Sequence, residues 1–182
     1  MDEKILIEGI WKLDEEALSA TFEQYAPLIF KYALRTCRDP LEADDVVGEV
    51  FSRLMNGLSE NKGPRENLRS YLYQTAYHIL IDNMRSAKYY AHPDELLNER
   101  LKQNPTVESA EERQKLLLIQ NALDTDLTDD QKHVIALRFF EGFDVRETAE
   151  ILGKEISNVK VIQSRAITKL RQVLDSEIEK EP

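Results

Sequence analysis

The stretch at positions 144–171, "DVRETAEILGKEISNVKVIQSRAITKLR", decides the fold, and it divides at Gly153. Before the glycine, Val145, Ala149 and Leu152 recur at helical spacing. After it, Val159, Ile162, Ala166 and Leu170 do the same. A short helix, a turn of about three residues and a longer helix form a helix-turn-helix. Ala149 is small enough to let the two helices cross closely. Positions 156–171 carry four bases (Lys160, Arg165, Lys169 and Arg171) and no acid. Across all 182 residues, by contrast, 34 acids outnumber 24 bases and the net charge is −10.

A basic helix in an acidic chain calls for a polyanion beside it. With one face turned inward, the second helix presents Ser157, Asn158, Lys160, Val161, Ser164 and Arg165, with Lys169 further along. In this motif early residues of the second helix reach base edges and later bases meet phosphates. Asn suits adenine, and Lys or Arg suits guanine. The plainer alternative is an amphipathic hairpin with a solvated charged face. The short helix, glycine turn and acid-free basic helix together favour DNA. The overall negative charge confines any such contact to a patch.

Upstream the pattern is helical throughout, with no sustained period-two alternation. Asp14 caps a helix beginning "EEALSATFEQY", and Pro27 suits the first turn of a next one, "PLIFKYALRTC". Asp39-Pro40 opens a third, with an apolar stripe of Leu41, Val47, Val50, Phe51, Leu54 and Met55. Residues 56–67 read as a loop, and 68–88 as a long helix. Residues 89–107 hold two prolines and little periodicity, a linker. Pro105 can start a helix over 106–125. Thr128 caps another, with Gln131 completing a capping box and Gly142 its stop. Asp144 and Glu147 repeat the capping-box spacing. The expected fold class is all-α: two small helical domains joined by a flexible linker, the second a helix-turn-helix.

Several function classes recede. No apolar run approaches the ~20 residues of a membrane span, and the N-terminus is unlike a signal peptide. The expectation is a cytoplasmic protein without cofactor. The lone Cys37 allows no internal disulfide or multi-cysteine zinc motif, and its apolar setting points to a buried thiol. His78, His92 and His133 are scattered, so no catalytic triad assembles, and no phosphate-binding glycine loop is present. Asp44, Asp45 and Glu49 cluster with Glu42 nearby, but no histidine joins them. They fit a docking face for a basic partner better than a metal or acid–base site. Helix 68–88 carries Tyr71, Tyr73, Tyr77 and His78 between Arg69, Arg85 and Lys88. Aromatics interspersed with bases suit single-stranded nucleic acid. Tyr73, Tyr77 and Leu80 also have core spacing, so both readings stay open on spacing alone.

Taken in order, these stretches resemble the extracytoplasmic-function (ECF) sigma factors of bacterial RNA polymerase. Positions 22–55, "FEQYAPLIFKYALRTCRDPLEADDVVGEVFSRLM", look like regions 2.1 and 2.2. Positions 68–86, "LRSYLYQTAYHILIDNMRS", look like regions 2.3 and 2.4, and 127–174 look like region 4. The resemblance implies a region 2-like domain over 1–88, a linker over 89–107 and a region 4-like domain over 108–182. It implies docking on the clamp helices of the polymerase largest subunit through Asp44, Asp45, Glu49 and Arg53, with the flap as a further contact. It implies that Arg69, Tyr71, Gln74, Tyr77, His78, Asp82, Arg85 and Lys88, with the preceding loop, melt and hold the minus-ten element of promoter DNA. The helix from 156 would read the minus-thirty-five element, and an anti-sigma factor would cover these surfaces. The chain departs from the family pattern at four single positions, and its run of arginines after helix 68–88 is reduced to "RSAKYY". Gly48 stands where Gln is usual, His78 where Asn is usual, Ile162 for an Arg, and Gln163 where a core Leu is usual.

The implied function is a promoter-specificity subunit, not an enzyme. The rival from another class is a stand-alone helix-turn-helix regulator whose N-terminal half dimerises or senses. A small helical enzyme is more distant, because no nucleophile or metal constellation assembles.

Overall fold

The computed structural model describes residues 2–90 and 127–178. Every regular element among them is helical. In order they are α1 (Glu3–Trp11), α2 (Glu15–Cys37), α3 (Pro40–Ser59), α4 (Leu68–Tyr90), α5 (Asp129–Ile135), α6 (Val145–Leu152) and α7 (Ile156–Ile178). A π-helical turn, Ala136–Phe140, continues α5. The helix expected over 106–125 and linker positions 91–107 lie outside the described residues. Tyr89 and Tyr90, expected in the linker, belong to α4. The described residues form two compact units, 2–90 together with 146–154, and 127–145 together with 155–178.

Local chemistry sets the helix ends of the first unit. The Asp14 carboxylate accepts from Ala17 N at 2.9 Å and starts α2. Asp39 accepts from Leu41 N at 2.9 Å, with Pro40 in the first turn of α3. The two helices expected on either side of Pro27 are one continuous helix. Pro27 removes a backbone donor at an exposed position, while Tyr25, Ala26 and Ile29 beside it are buried and hold both halves on the core.

The core of this unit comes from one face of each helix. Leu6 and Ile10 enter from α1; Ile29, Tyr32 and Ala33 from α2; Ala43, Val46, Val50 and Leu54 from α3; Leu68, Leu72, Tyr73, Ala76 and Leu80 from α4. The Tyr32 and Tyr73 rings meet with centroids 5.3 Å apart. The α3 stripe is therefore rotated from the expected one. Leu41 is 65% exposed and Met55 42% exposed. The 3.6-residue repeat carries both to the side opposite Val46 and Val50. Glu42 accepts from Asn83 Nδ2 at 3.2 Å and ties α3 to α4.

In the second unit the expected capping box is formed. Thr128 Oγ1 accepts from Gln131 N at 3.4 Å, and Gln131 Oε1 accepts from Thr128 N at 3.0 Å. Ala166 of α7 joins Leu127 and Ile135 in a small core, with Ile167 and Leu170 against it.

Candidate nucleic-acid interface

Three faces carry the residues singled out by sequence. The first is on α7. Gly153, at φ +60°, ends α6 in a left-handed conformation that a side chain would strain. The Lys154 amide then donates to the Ala149 carbonyl at 2.9 Å, and α7 starts at Ile156. Ala149, Leu152, Val159 and Ala166 are buried, and Val145, Ile162 and Leu170 half-buried. Ser157, Asn158, Lys160, Val161, Ser164, Arg165 and Lys169 are all exposed. Ser157, Val161, Ser164 and Thr168 follow one line along the helix. Asn158 and Arg165 flank that line on one side, Lys160 and Arg171 on the other. The result is a polar, basic strip with one apolar side chain in its middle, able to meet base edges and phosphates together.

The second face is on α4, where the candidates divide. Tyr71, Gln74, His78, Asp82 and Arg85 recur every three or four residues and share one side of the helix. His78, Asp82 and Arg85 are exposed, Tyr71 and Gln74 half-buried. Asp82 and Arg85 lie 3.9 Å apart, a loose surface pair. Burial holds the Tyr71 phenol above its ordinary pKa, with opposing contributions from Thr75 and Arg53. It stays protonated and able to donate at neutral pH. Tyr77 is only 7% exposed, with its ring 5.7 Å from that of His78. The Arg69 guanidinium lies 5.6 Å over the Tyr73 ring, on the core side. Tyr73 and Tyr77 therefore follow the core spacing seen in the sequence. The Lys88 side chain lies outside the described residues.

The third face is the outer side of α3. Asp44, Asp45, Glu49 and Arg53 are exposed, and Arg53 Nε donates to Glu49 Oε1 at 2.7 Å. Gly48 lies among them, and a Cβ there would meet nothing within 4 Å. Beside the acids lies an apolar margin that sequence reasoning placed in the core or passed over. Phe22 of α2 is 50% exposed, its ring centroid 4.8 Å from that of Phe51, with Met55 nearby on α3. Such a surface suits a partner with basic and apolar groups together.

Two further features bear on chemistry. The Cys37 thiol is pushed up to about 11 by burial, with backbone hydrogen bonding at Asp39 a weaker, opposite effect. At neutral pH it is a protonated thiol and a poor nucleophile. No helix among the described residues is long and apolar enough to cross a membrane.

Comparison with known proteins agrees with this layout. Residues 21–89 match Sigma-70 region 2, and residues 123–172 match Sigma-70 region 4. The ECF RNA polymerase sigma factor BldN of Streptomyces coelicolor is 25% identical over 173 residues, covering 93% of this chain and 64% of that protein. The RNA polymerase sigma factor YlaC of Bacillus subtilis is 28% identical over 176 residues, 91% of this chain and 96% of that one. Among solved structures, the sigma factor RpoE from Bartonella quintana, in complex with the anti-sigma factor NepR, shares the fold. Its TM-score is 0.66 at 18% identity, over 86% of this chain and 96% of that one. With both sigma regions matched in order along it, the chain belongs to the sigma-70 family, among the ECF sigma factors of RNA polymerase.

Proposed function

We propose that the chain is a promoter-specificity subunit whose three faces divide the work of transcription initiation. The strip on α7 reads the minus-thirty-five element from the major groove. Ser157, Asn158, Lys160 and Val161 face base edges, and Ser164, Arg165 and Lys169 face bases and backbone. Val161 supplies an apolar contact of the kind that recognises a thymine methyl. The stripe Tyr71, Gln74, His78, Asp82 and Arg85 holds the minus-ten element as single strand, through stacking and polar contacts. Arg69 and Tyr77 support it from the core side, and Lys88 is the remaining base assigned to it. The ridge Asp44, Asp45, Glu49 and Arg53 docks on the clamp helices of the polymerase largest subunit, with Phe22 and Met55 as its apolar margin. The region 4-like domain meets the flap.

The reading assigns domains over 1–88 and 108–182 with a linker between, no catalysis of the chain's own, and a cytoplasmic site of action beside polymerase. It also assigns an anti-sigma factor as partner, by likeness to the RpoE complex. The observation that carries it is α7: seven candidate side chains from Ser157 to Lys169 exposed on a helix that keeps its acids out of positions 156–171.

The test is Asp45→Arg combined with Glu49→Arg. Both positions are exposed, so the fold survives. Binding to core polymerase should be abolished. Unchanged binding would overturn the docking face and favour the stand-alone regulator.

A further inference from the structure

The loop between α3 and α4, residues 60–67, is held from three directions. At its ends Asn61 (φ 60°) and Asn67 (φ 52°) adopt the left-handed conformation, which Asn tolerates better than most residues. Lys62 N donates to the Gly57 carbonyl at 2.7 Å, and Tyr71 N to the Asn67 carbonyl at 3.0 Å. In the middle, the hold comes from a helix more than fifty residues away in sequence. Trp11, the last residue of α1 and the only tryptophan in the chain, donates from Nε1 to the Pro64 carbonyl at 2.6 Å. The Arg65 guanidinium lies 3.8 Å over the indole ring. A Cβ on Gly63 would come within 3.2 Å of the indole Cζ2 and 2.8 Å of Leu58 Cδ2. The loop backbone is thus pressed against the indole at Gly63, hydrogen-bonded to it at Pro64 and stacked on it through Arg65. Pro64 is buried while Arg65 is exposed.

We infer that Trp11 is a positioning residue for promoter opening: it fixes loop 60–67 so that Arg65 is presented, already ordered, to the displaced DNA strand. This rests on the assignment of the α4 face to the minus-ten element. A free loop would have to be ordered at the moment of strand capture, and conformational entropy would oppose that step. With the clasp in place, the cost is met on folding. A guanidinium stacked on an indole keeps its charge and its in-plane donors for a phosphate or a base. α1, which lies outside the matched sigma region, thereby becomes part of the promoter-opening machinery.

The test uses the full chain, core polymerase and a promoter fragment recovered by run-off transcription, with a fluorescent base in its minus-ten element. Trp11→Phe keeps an aromatic ring and removes the donor; Arg65→Gln changes only the exposed partner. In Trp11→Phe, amide exchange across residues 60–67 should rise about tenfold, the scale of one lost hydrogen bond, while amides of α2 to α4 and polymerase affinity stay unchanged. Both variants should slow strand opening several-fold, and Arg65→Lys should recover only part of the rate, because the charge returns without the planar stack. Arg65→Gln should also shift the emission of the single tryptophan. Unchanged loop exchange in Trp11→Phe would overturn the clasp. Faster loop exchange with unchanged opening would overturn its role in capture. If run-off transcription recovers no promoter, the sigma-factor assignment fails and the role of the loop fails with it, whatever the exchange data show.

Discussion

Arg138 Nε donates to Gln163 Oε1 at 3.0 Å, joining the π-helical turn after α5 to the half-buried side of α7. A second nitrogen of the same guanidinium, Nη1, donates to the Phe143 carbonyl. Gln163, polar where the family usually has a core Leu, thus has a specific partner. The pair fixes α7 in rotation, and so fixes which of its side chains are exposed.

Arg138→Ala should destabilise the chain by about 1.5–3 kcal/mol, the range for a hydrogen bond to a charged group. Gln163→Leu should cost less, because the bond to Phe143 remains. The double variant should be less destabilised than the sum of the two, which marks direct coupling. Urea unfolding followed by circular dichroism measures all three.

Gly48→Ala should stabilise the chain by about 0.5–1 kcal/mol. The glycine lies inside α3, its φ is not positive, and a Cβ would meet nothing within 4 Å. Packing therefore does not require it. A higher urea midpoint at unchanged slope is the expected result.

Lys160→Ala with Arg165→Ala should weaken promoter binding by the holoenzyme and flatten its salt dependence. The slope of log affinity against log salt should fall by about one for each phosphate that is no longer neutralised. Both residues are exposed, so the fold should persist. An unchanged slope would place both side chains away from the DNA backbone.

The two helices of positions 144–171 and the turn between them were legible because each has its own local signal. Gly153 marks the stop, spaced apolar residues mark the inner side, and the absence of acids marks the outer one. Caps at Asp14, Asp39 and Thr128 were legible for the same reason, since a cap is settled within four residues. What was misread depended on packing. Pro27 reads as a helix start, yet the buried faces before and after it carry one helix through it. Leu41 and Met55 read as core by type, yet the rotation of α3 is set by Val46, Val50 and Leu54, leaving both outside. The Trp11 clasp had no local signal at all. A tryptophan at the end of a short helix and a "GPR" tripeptide at 63–65 become related only through the fold. Among the candidate site residues, the α7 set falls on one exposed strip, while the α4 set separates Tyr77 and Arg69 from the rest. Tyr77 has the spacing of the core, and burial follows spacing more closely than it follows residue type.

Reconstitution decides whether this chain directs polymerase to promoters. The purified chain is mixed with core RNA polymerase from its own bacterium, and run-off transcripts from fragmented genomic DNA are sequenced. Discrete start sites that share a two-part upstream sequence and vanish when the chain is left out are the expected result. Transcription no different from core polymerase alone, with the chain failing to co-elute with the enzyme, would contradict it.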